Sequence, residues 1–153
     1  MRVWRADVGD AETVARLIAE FGEWWGKNPV GADEIQRSVE RIMAGDDGEY
    51  LLGSVDDAAE PAGVCQTRFR WSVWKSAEDC WLEDLYVQED ARRWGLGRAL
   101  VDAAVERARE RGCRRIELDV NEDNAPALAL YAACGFLMEP KAPGRTLFIG
   151  RPL

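Results

Sequence analysis

The sequence predicts a single α/β domain in which a central mixed β-sheet carries helices on both faces. Its 153 residues are the usual length of one domain, and no linker or repeat divides them. Hydrophobic residues make up 47% and charged residues 31%, as in ordinary globular proteins. Strand-like and helical patterns alternate, and one strand–helix–strand run in the middle requires two parallel strands. We therefore expect residues 1–153 to form one domain.

The first third of the chain predicts a strand followed by two helices. Residues 3–5 form the strand, and Asp10 is placed to cap the first helix. The apolar face of that helix consists of Val14, Leu17, Ile18, Phe21 and Trp25. Residues 26–29 contain Gly, Asn and Pro and are expected to end it. A second helix is expected after Asp33. Its buried side is marked by Ile35, Val39 and Ile42.

The middle of the chain predicts three strands, at residues 50–55, 63–73 and 80–87. The turns between them are short, which favours antiparallel hairpins. A loop then leads into a helix at 95–111, which Gly112 is placed to end.

A strand at residues 115–120 follows that helix, so the run from 80 to 120 forms a βαβ unit with a right-handed crossover. A last helix is expected at 125–134, with Pro126 in its first turn. Two short strands, at 136–138 and 146–150, complete the predicted sheet.

A glycine-rich loop joins the strand at 80–87 to the following helix. Successive N–H groups at a helix N-terminus bind anions, and arginines flank this loop. A P-loop is excluded because no Gly-Lys-Ser/Thr is present. A dinucleotide fingerprint fails because Leu100 stands at the third glycine position. The pattern R/Q-x-x-G-x-G/A is satisfied by Arg92, Gly95 and Gly97.

Two further blocks flank the loop with fixed spacing. Upstream is the stretch 81–87, and downstream residues 121–136 follow the pattern N-x-x-N-x-x-A-x-x-x-Y-x-x-x-G-F. On these three motifs the chain resembles the GNAT superfamily of acetyl-CoA-dependent N-acetyltransferases. The resemblance covers residues 81–136, whereas residues 1–80 agree only in element order. It implies the GNAT acyl-CoA N-acyltransferase fold, with acetyl-CoA as co-substrate and no metal.

The resemblance also implies where coenzyme A binds. The loop backbone is expected to hold the pyrophosphate, and the strand before it to guide the pantetheine arm. A backbone N–H near Val87 is expected to polarise the thioester carbonyl. The expected coenzyme A contacts are Leu85, Tyr86, Val87, Arg92, Arg93, Trp94, Gly95, Leu96, Gly97, Arg98, Asn121, Asn124, Ala127 and Tyr131.

The chemistry of acetyl transfer selects two candidate catalytic residues. An alkyl amine has a pKa near ~10.4 and needs a base, and the absence of histidine excludes Ser-His and Cys-His catalysis. Glu83 is the candidate base, because on a regular strand it shares a face with Trp81, Leu85 and Val87. Asp84 points the other way and is the second choice. Some small-amine members of the family use such a glutamate directly or through water.

Tyr131 stands at the family's acid position and is expected to protonate the departing thiolate. The acceptor is expected between the first two helices and the strands near 65–83, where aromatic rings and carboxylates suit an amine cation. The expected acceptor contacts are Phe21, Trp24, Trp25, Glu83 and Asp84. Alternatively, most tryptophans belong to the core or to a dimer interface.

Charge and composition limit the classes of molecule that the protein is expected to bind. The net charge is −8, and residues 1–91 carry −11 while residues 92–153 carry +3. An acidic first part suits a cationic acceptor, a basic second part suits an anionic cofactor, and nucleic acid is disfavoured. No apolar run approaches a membrane span or a signal core, so a cytoplasmic protein is expected. The four cysteines form no C-x-x-C pair and are expected to be buried and reduced.

A small-molecule amine acetyltransferase is thus the leading hypothesis, with a polyamine, an aminoglycoside or an amino-acid derivative as acceptor. A protein or peptide N-acetyltransferase of the same fold and a coenzyme A-binding regulatory module without turnover are the alternatives. A homodimer is expected from the family resemblance alone.

Overall fold

The computed structural model describes residues 1–26, 30–138 and 150–151. These residues form a five-stranded sheet and four α-helices. In chain order the elements are β1 (Arg2–Arg5), α1 (Ala11–Trp24), α2 (Ala32–Met43), β2 (Gly48–Ser54), β3 (Gly63–Ser72), β4 (Ala77–Val87), α3 (Leu96–Glu110), β5 (Ile116–Glu117) and α4 (Ala125–Ala133).

The sheet is mixed, as predicted. Its strand order is β1-β2-β3-β4-β5, so sequence neighbours are also neighbours in space. The first four strands pair antiparallel; β1 and β2 are separated in the chain by α1 and α2, whereas β2, β3 and β4 follow one another through short connections. After the α3 crossover, β5 pairs parallel to β4. The predicted hairpins and the βαβ unit are therefore confirmed.

Two separate hydrophobic clusters show that helices cover both faces of the sheet. Adjacent residues of one strand point to opposite faces, and Leu52 packs with α1 and α2 while Leu51 packs with α3. Val64 and Cys65 on β3 divide in the same way. The α3 cluster also contains Tyr131 from α4. The predicted arrangement of a central sheet with helices on both faces is confirmed.

Glycines on the sheet allow α3 to lie close to it. A Cβ atom at Gly53 would stand 2.8 Å from Leu96 Cδ1, and one at Gly63 would stand 2.9 Å from Leu100 Cδ1. Both leucines are completely buried, with exposures of 1% and 0%. The close packing fixes the first turn of α3 relative to β2 and β3, which matters because the glycine loop ends there.

The start of α1 differs from the prediction for Asp10. Asp10 occupies the N-cap position of α1, but its side chain makes no cap hydrogen bond there. Its carboxylate instead accepts from the Asp7 backbone N–H and from Trp4 Nε1. Asp7 caps a short 3-10 turn, Val8–Asp10, that precedes α1. The carboxylate therefore reaches backward, because an extra turn separates β1 from the helix.

Among the described residues, the sheet has less strand after α3 than predicted. The strand expected at 115–120 is reduced to β5, and residues 136–138 form no strand. Gly135 takes a left-handed φ of +84°, and the Phe136 N–H donates to Tyr131 O, so these residues terminate α4 instead. The strand predicted at 146–150 lies outside the described residues except for Gly150, and so do residues 27–29, where α1 was expected to end.

The remaining local predictions mostly hold. Gly112 takes a left-handed φ of +74° directly after α3, and Pro126 lies in the first turn of α4. All four cysteines are free thiols, but only Cys65 and Cys80 are buried. Cys113 and Cys134 are half-exposed because they follow the ends of α3 and α4.

A buried ion pair joins α3 to the sheet. Glu49 on β2 is only 5% exposed and accepts two hydrogen bonds from Arg107, at 2.9 Å from Nε and 3.0 Å from Nη2. The Arg5 guanidinium lies farther away, at 3.5 Å. A buried carboxylate is tolerated when its charge is paired, and Arg107 is the main partner of Glu49.

We expect Arg107→Met to lower the free energy of unfolding by about 3 kcal/mol, since the Glu49 charge then stays buried without its main partner. Urea denaturation followed by circular dichroism measures this change. Arg109→Met on the same helix is the control, because Arg109 pairs with the exposed Glu106 and should cost less than about 0.5 kcal/mol. Equal losses in the two variants would contradict the role given to the buried pair.

Candidate active site

The sheet opens where β4 leaves β5. Only Cys80 and Trp81 of β4 pair with β5, although β4 continues to Val87. The Gln88 N–H donates to Ala62 O at the end of the β3 side. Because successive N–H groups of a strand alternate in direction, the Val87 N–H points the opposite way, into the gap beyond β5. Among the described residues, the Val87 N–H therefore has no partner in the strand ladder and lines this opening.

A cavity of about 910 Å³ fills the gap between β4, the start of α3, α4 and the end of α1. It brings together nearly all the predicted site residues. They are Phe21, Trp24, Trp25, Glu83, Asp84, Leu85, Tyr86, Val87, Arg92, Arg93, Gly95, Gly97, Arg98, Asn121, Asn124, Ala127 and Tyr131. A smaller cavity of about 380 Å³ between β1, β2 and the end of α2 contains none of them.

Two predicted coenzyme A contacts do not line the cavity. Trp94 is 72% exposed and is not among the residues that line it. Leu96 is buried in the α3 core, so only its backbone could reach a ligand. Trp71 and Trp74 lie near the exposed tip of the β3–β4 hairpin, so these two tryptophans do not belong to the core, and their place in a dimer interface stays a prediction.

Sequence reasoning also missed part of the cavity wall. Glu89, Asp119, Val120, Pro126, Ala129 and Leu130 line it as well. Several of them stand next to motif residues in the chain, and this proximity is the signal that could have indicated them. Glu89 and Asp119 add negative charge, which the sequence had not associated with the site.

The glycine loop forms a left-handed turn at the start of α3. Arg93 and Gly95 have left-handed φ values of +65° and +89°. Gly95 occupies the N-cap position with no side-chain cap, and the first turn of α3 holds no acidic residue. The first N–H groups of a helix have no carbonyl partner within it. Together with Arg92 and Arg98, they present positive charge to the cavity.

Gly97 stands one residue into α3, facing the cavity. A Cβ atom there would lie 3.4 Å from Leu130 Cδ2 and 3.8 Å from Val87 Cγ2, which are ordinary packing distances. The protein fold itself therefore does not require glycine at this position. Its missing side chain leaves room for a ligand to approach the backbone of α3.

Four aromatic side chains form one wall of the cavity; we call Phe21, Trp24, Trp25 and Tyr86 the aromatic wall. Phe21 stacks on Trp25 and on Tyr86 with ring centroids 5.6 Å apart in each case, and lies 6.2 Å from Trp24. Trp24 and Trp25 are each 57% exposed. The wall is thus a partly solvated aromatic surface rather than a closed core.

Arg92 connects the glycine loop to this wall. Its Nε donates to Val87 O at 2.8 Å. Its guanidinium carbon lies 5.2 Å from the Trp24 ring centroid and 6.0 Å from that of Tyr86. A cation over an aromatic face at a solvent-exposed site stabilises by roughly 0.5–1 kcal/mol.

A β-bulge displaces the two predicted carboxylates. Asp84 lies opposite Gln66 and Leu82 lies opposite Thr67, so Glu83 is an extra residue in β4. The bulge breaks the alternation, and Leu82 joins Leu85 and Val87 in the α3 cluster. The expectation that Trp81 shares this face is wrong, since its neighbours Cys80 and Leu82 point to α3. As a result, both carboxylates line the cavity.

The two carboxylates differ in environment. Glu83 is exposed, whereas Asp84 is half-buried. Burial, followed by the neighbouring Glu83 charge, raises the pKa of Asp84 to about 6. Burial and Asp84 also raise the pKa of Tyr50, which is 2% exposed. Asp84 is therefore a carboxyl group held partly away from water, at a cost that an added cation would relieve.

Tyr131 faces the same cavity from α4. The Asn124 side chain caps α4 by accepting from the Ala127 N–H at 3.2 Å, and the Asn121 side chain accepts from the Asp123 N–H at 2.8 Å. The rings of Tyr131 and Phe136 lie 5.7 Å apart. Burial raises the pKa of Tyr131 to about 12, so it is a phenol, able to donate a proton, throughout the neutral range.

The described part of the chain holds no group of three or more Cys, Asp or Glu residues arranged to bind a metal ion. No helix among the described residues is long and apolar enough to cross a membrane.

Comparison with known proteins agrees with this architecture. The model of the acetyltransferase (GNAT) family matches residues 14–136. The thialysine N-epsilon-acetyltransferase of Bos taurus is 31% identical over 141 residues, which cover 85% of this chain and 80% of that protein. An aminoglycoside N(6')-acetyltransferase type 1 of Stenotrophomonas maltophilia is 27% identical, covering 84% and 88%.

A solved aminoglycoside acetyltransferase from an uncultured soil metagenomic sample has the same fold. It superposes with a TM-score of 0.78 at 15% identity, covering 99% of this chain and 95% of that one.

Asp84→Asn should stabilise the protein at pH 8 by on the order of 1–3 kcal/mol, because it removes a desolvated charge beside Glu83. The pKa of Asp84 is raised to about 6 in the folded state. The folded protein therefore holds this proton more tightly, and the stability that Asp84 contributes falls as pH rises from about 4 to 6. The stabilisation by Asp84→Asn should vanish at pH 4, where Asp84 is protonated in the folded protein.

Denaturant unfolding at pH 4 and pH 8 measures this difference, with Asp57→Asn in the exposed β2–β3 loop as control. A gain that is the same at both pH values would show that Asp84 is not titrating as described.

Proposed function

The chain belongs to the GNAT acetyltransferase family, and from this we propose that it transfers the acetyl group of acetyl-CoA to a primary amine of a small cationic molecule. Transfer occurs by direct attack of the amine in a ternary complex. The observation that supports this best is the single cavity, where an anion-binding helix start, a phenol and two carboxylates meet.

The basic side of the cavity suits coenzyme A. The N–H groups at the start of α3 and the side chains of Arg92, Arg93 and Arg98 would hold the pyrophosphate. The edge of β4 from Leu85 to Val87 would guide the pantetheine arm, because its backbone groups face the gap beyond β5. The Val87 N–H would donate to the thioester oxygen, where negative charge develops during attack.

The acidic side of the cavity suits the amine. We assign the base to Glu83, which lines the cavity and is exposed, so that it can pass the proton to solvent. Asp84 would hold a positive charge of the acceptor, since a neighbouring cation offsets its desolvation. Tyr131 would donate to the sulfur as the thiolate leaves. Its raised pKa keeps the donor proton in place at every pH used for assay.

The aromatic wall and the two neighbouring carboxylates indicate the chemical class of the acceptor. An aromatic surface next to two carboxylates favours an amine that carries a further positive charge. Thialysine and aminoglycosides, the substrates named for two relatives, both have such charges. Retention of Glu83 and Tyr131 in the cavity disfavours a coenzyme A-binding module without turnover.

The direct test is acetyl-CoA-dependent release of free thiol with a panel of amines: thialysine, lysine, spermidine, kanamycin and a basic peptide. We expect turnover with at least one small polyamine or amino-acid analogue. Tyr131→Phe should lower kcat by about 100-fold while coenzyme A binding persists. Preference for the peptide would favour a protein acetyltransferase, and equal rates for Tyr131→Phe would remove Tyr131 from the mechanism.

Gly97→Glu should abolish coenzyme A binding in a calorimetric titration, because its carboxylate would project into the anion site. Gly97→Ala is the matched control. Its Cβ fits the protein at ordinary distances, so a smaller loss of affinity measures how closely the ligand approaches α3. Tight coenzyme A binding by Gly97→Glu would show that this loop is not the phosphate site.

Steady-state kinetics should distinguish the roles of Glu83 and Asp84. Glu83→Gln is expected to lower kcat by about 100-fold. Asp84→Asn is expected mainly to raise the KM for the amine. In the wild type that KM should rise as pH falls through about 6, because protonation removes the Asp84 charge, and the variant should lose this dependence. The reverse pattern would assign the base to Asp84.

A further inference from the structure

Arg92 lies between the glycine loop and the aromatic wall of the cavity. It begins the glycine loop, and it lines the cavity together with Gly95 and Gly97. Its guanidinium also lies over Trp24 and near Tyr86, two members of the aromatic wall. A single side chain therefore touches the elements that would bind the anionic donor and those that would bind the cationic acceptor.

The contacts of Arg92 use only part of its binding capacity. Arginine has five N–H donors, and among the described residues Arg92 makes a hydrogen bond through Nε alone, to Val87 O. The terminal nitrogens make none to this part of the chain. The side chain is half-buried, so its charge is only partly hydrated. These nitrogens are available to an anion that enters beside α3.

The cation–π position on Trp24 is thus filled by the protein itself. An ammonium group of the acceptor would favour the same aromatic face, and two cations cannot share it without repulsion. Acceptor binding at Trp24 therefore requires the guanidinium to move away.

We propose that Arg92 occupies the acceptor's cation position on Trp24 until acetyl-CoA binds, and then turns to the pyrophosphate and vacates that position. A bidentate, charge-assisted bond from arginine to phosphate is stronger than its contact with an exposed ring, so the pyrophosphate wins this competition. Amine binding then follows acetyl-CoA binding. The inference rests on the proposed function, because it takes the acceptor to be a cation and the donor to be acetyl-CoA.

Three variants isolate this role. Arg92→Gln keeps a residue that the R/Q-x-x-G-x-G/A motif accepts but removes the cation from Trp24. Arg93→Gln is the matched control, since it removes the same charge from the same loop, and among the described residues the cation over Trp24 is Arg92 and not Arg93. Trp24→Phe gives the emission of the other six tryptophans, which is subtracted from the wild-type emission to isolate that of Trp24.

Coenzyme A is titrated into each protein while tryptophan fluorescence and, in parallel, calorimetric binding are recorded. In the wild type, binding should change the emission of Trp24, measured as the difference from Trp24→Phe. Arg93→Gln should keep this change, and Arg92→Gln should lose it while still binding coenzyme A. A Trp24 change that persists in Arg92→Gln, or a wild type that binds coenzyme A with no Trp24 change, overturns the proposal.

Initial rates with the best amine of the panel provide a second measurement. In the wild type, saturating acetyl-CoA should lower the apparent KM for the amine by about tenfold relative to low acetyl-CoA. Arg92→Gln should abolish this dependence, and Arg93→Gln should retain it. Equal dependence in both variants contradicts the role of Arg92. Absence of coenzyme A binding in every protein would instead refute the proposed function.

Discussion

The separation of β4 from β5 is the constraint on which the site depends. The two strands are parallel and pair through two residues each, after which β4 continues alone along the cavity. A parallel strand needs its neighbour to satisfy its backbone groups. Beyond Trp81 these groups face a gap, which a substrate with amide and carbonyl groups can complete. The same gap brings α4, and hence Tyr131, opposite the end of β4.

The packing of α3 on the sheet also fixes the position of the glycine loop. Gly53 and Gly63 let Leu96 and Leu100 lie against the strands, so the first turn of α3 is anchored in the core while its exposed N–H groups face the cavity. This side of the cavity is thus anchored in the core. Three of the four rings of the aromatic wall lie at the partly exposed end of α1 and form the other side, and Arg92 contacts Trp24 between them.

Much of the fold could be predicted from hydrophobic periodicity and turn residues. Most of the cavity lining could be predicted from the resemblance to the GNAT superfamily, which glycine, asparagine and tyrosine at fixed spacing carry. The position of Glu83 could not, since a bulge depends on the pairing of β4 with β3 and shifts every later residue. Asp10 was misassigned because the 3-10 turn before α1 leaves no apolar pattern. The overlap of Arg92 with Trp24 joins residues far apart in sequence, and only the tertiary structure shows it.

Amide hydrogen exchange with and without coenzyme A is the most direct test of whether the donor binds in the cleft between β4 and α4. If the cleft between β4 and α4 holds the donor, coenzyme A should slow exchange at Leu85, Val87 and the first turn of α3, whose N–H groups have no carbonyl partner within that helix. Binding without protection there, or protection confined to the smaller cavity between β1 and β2, would contradict this account.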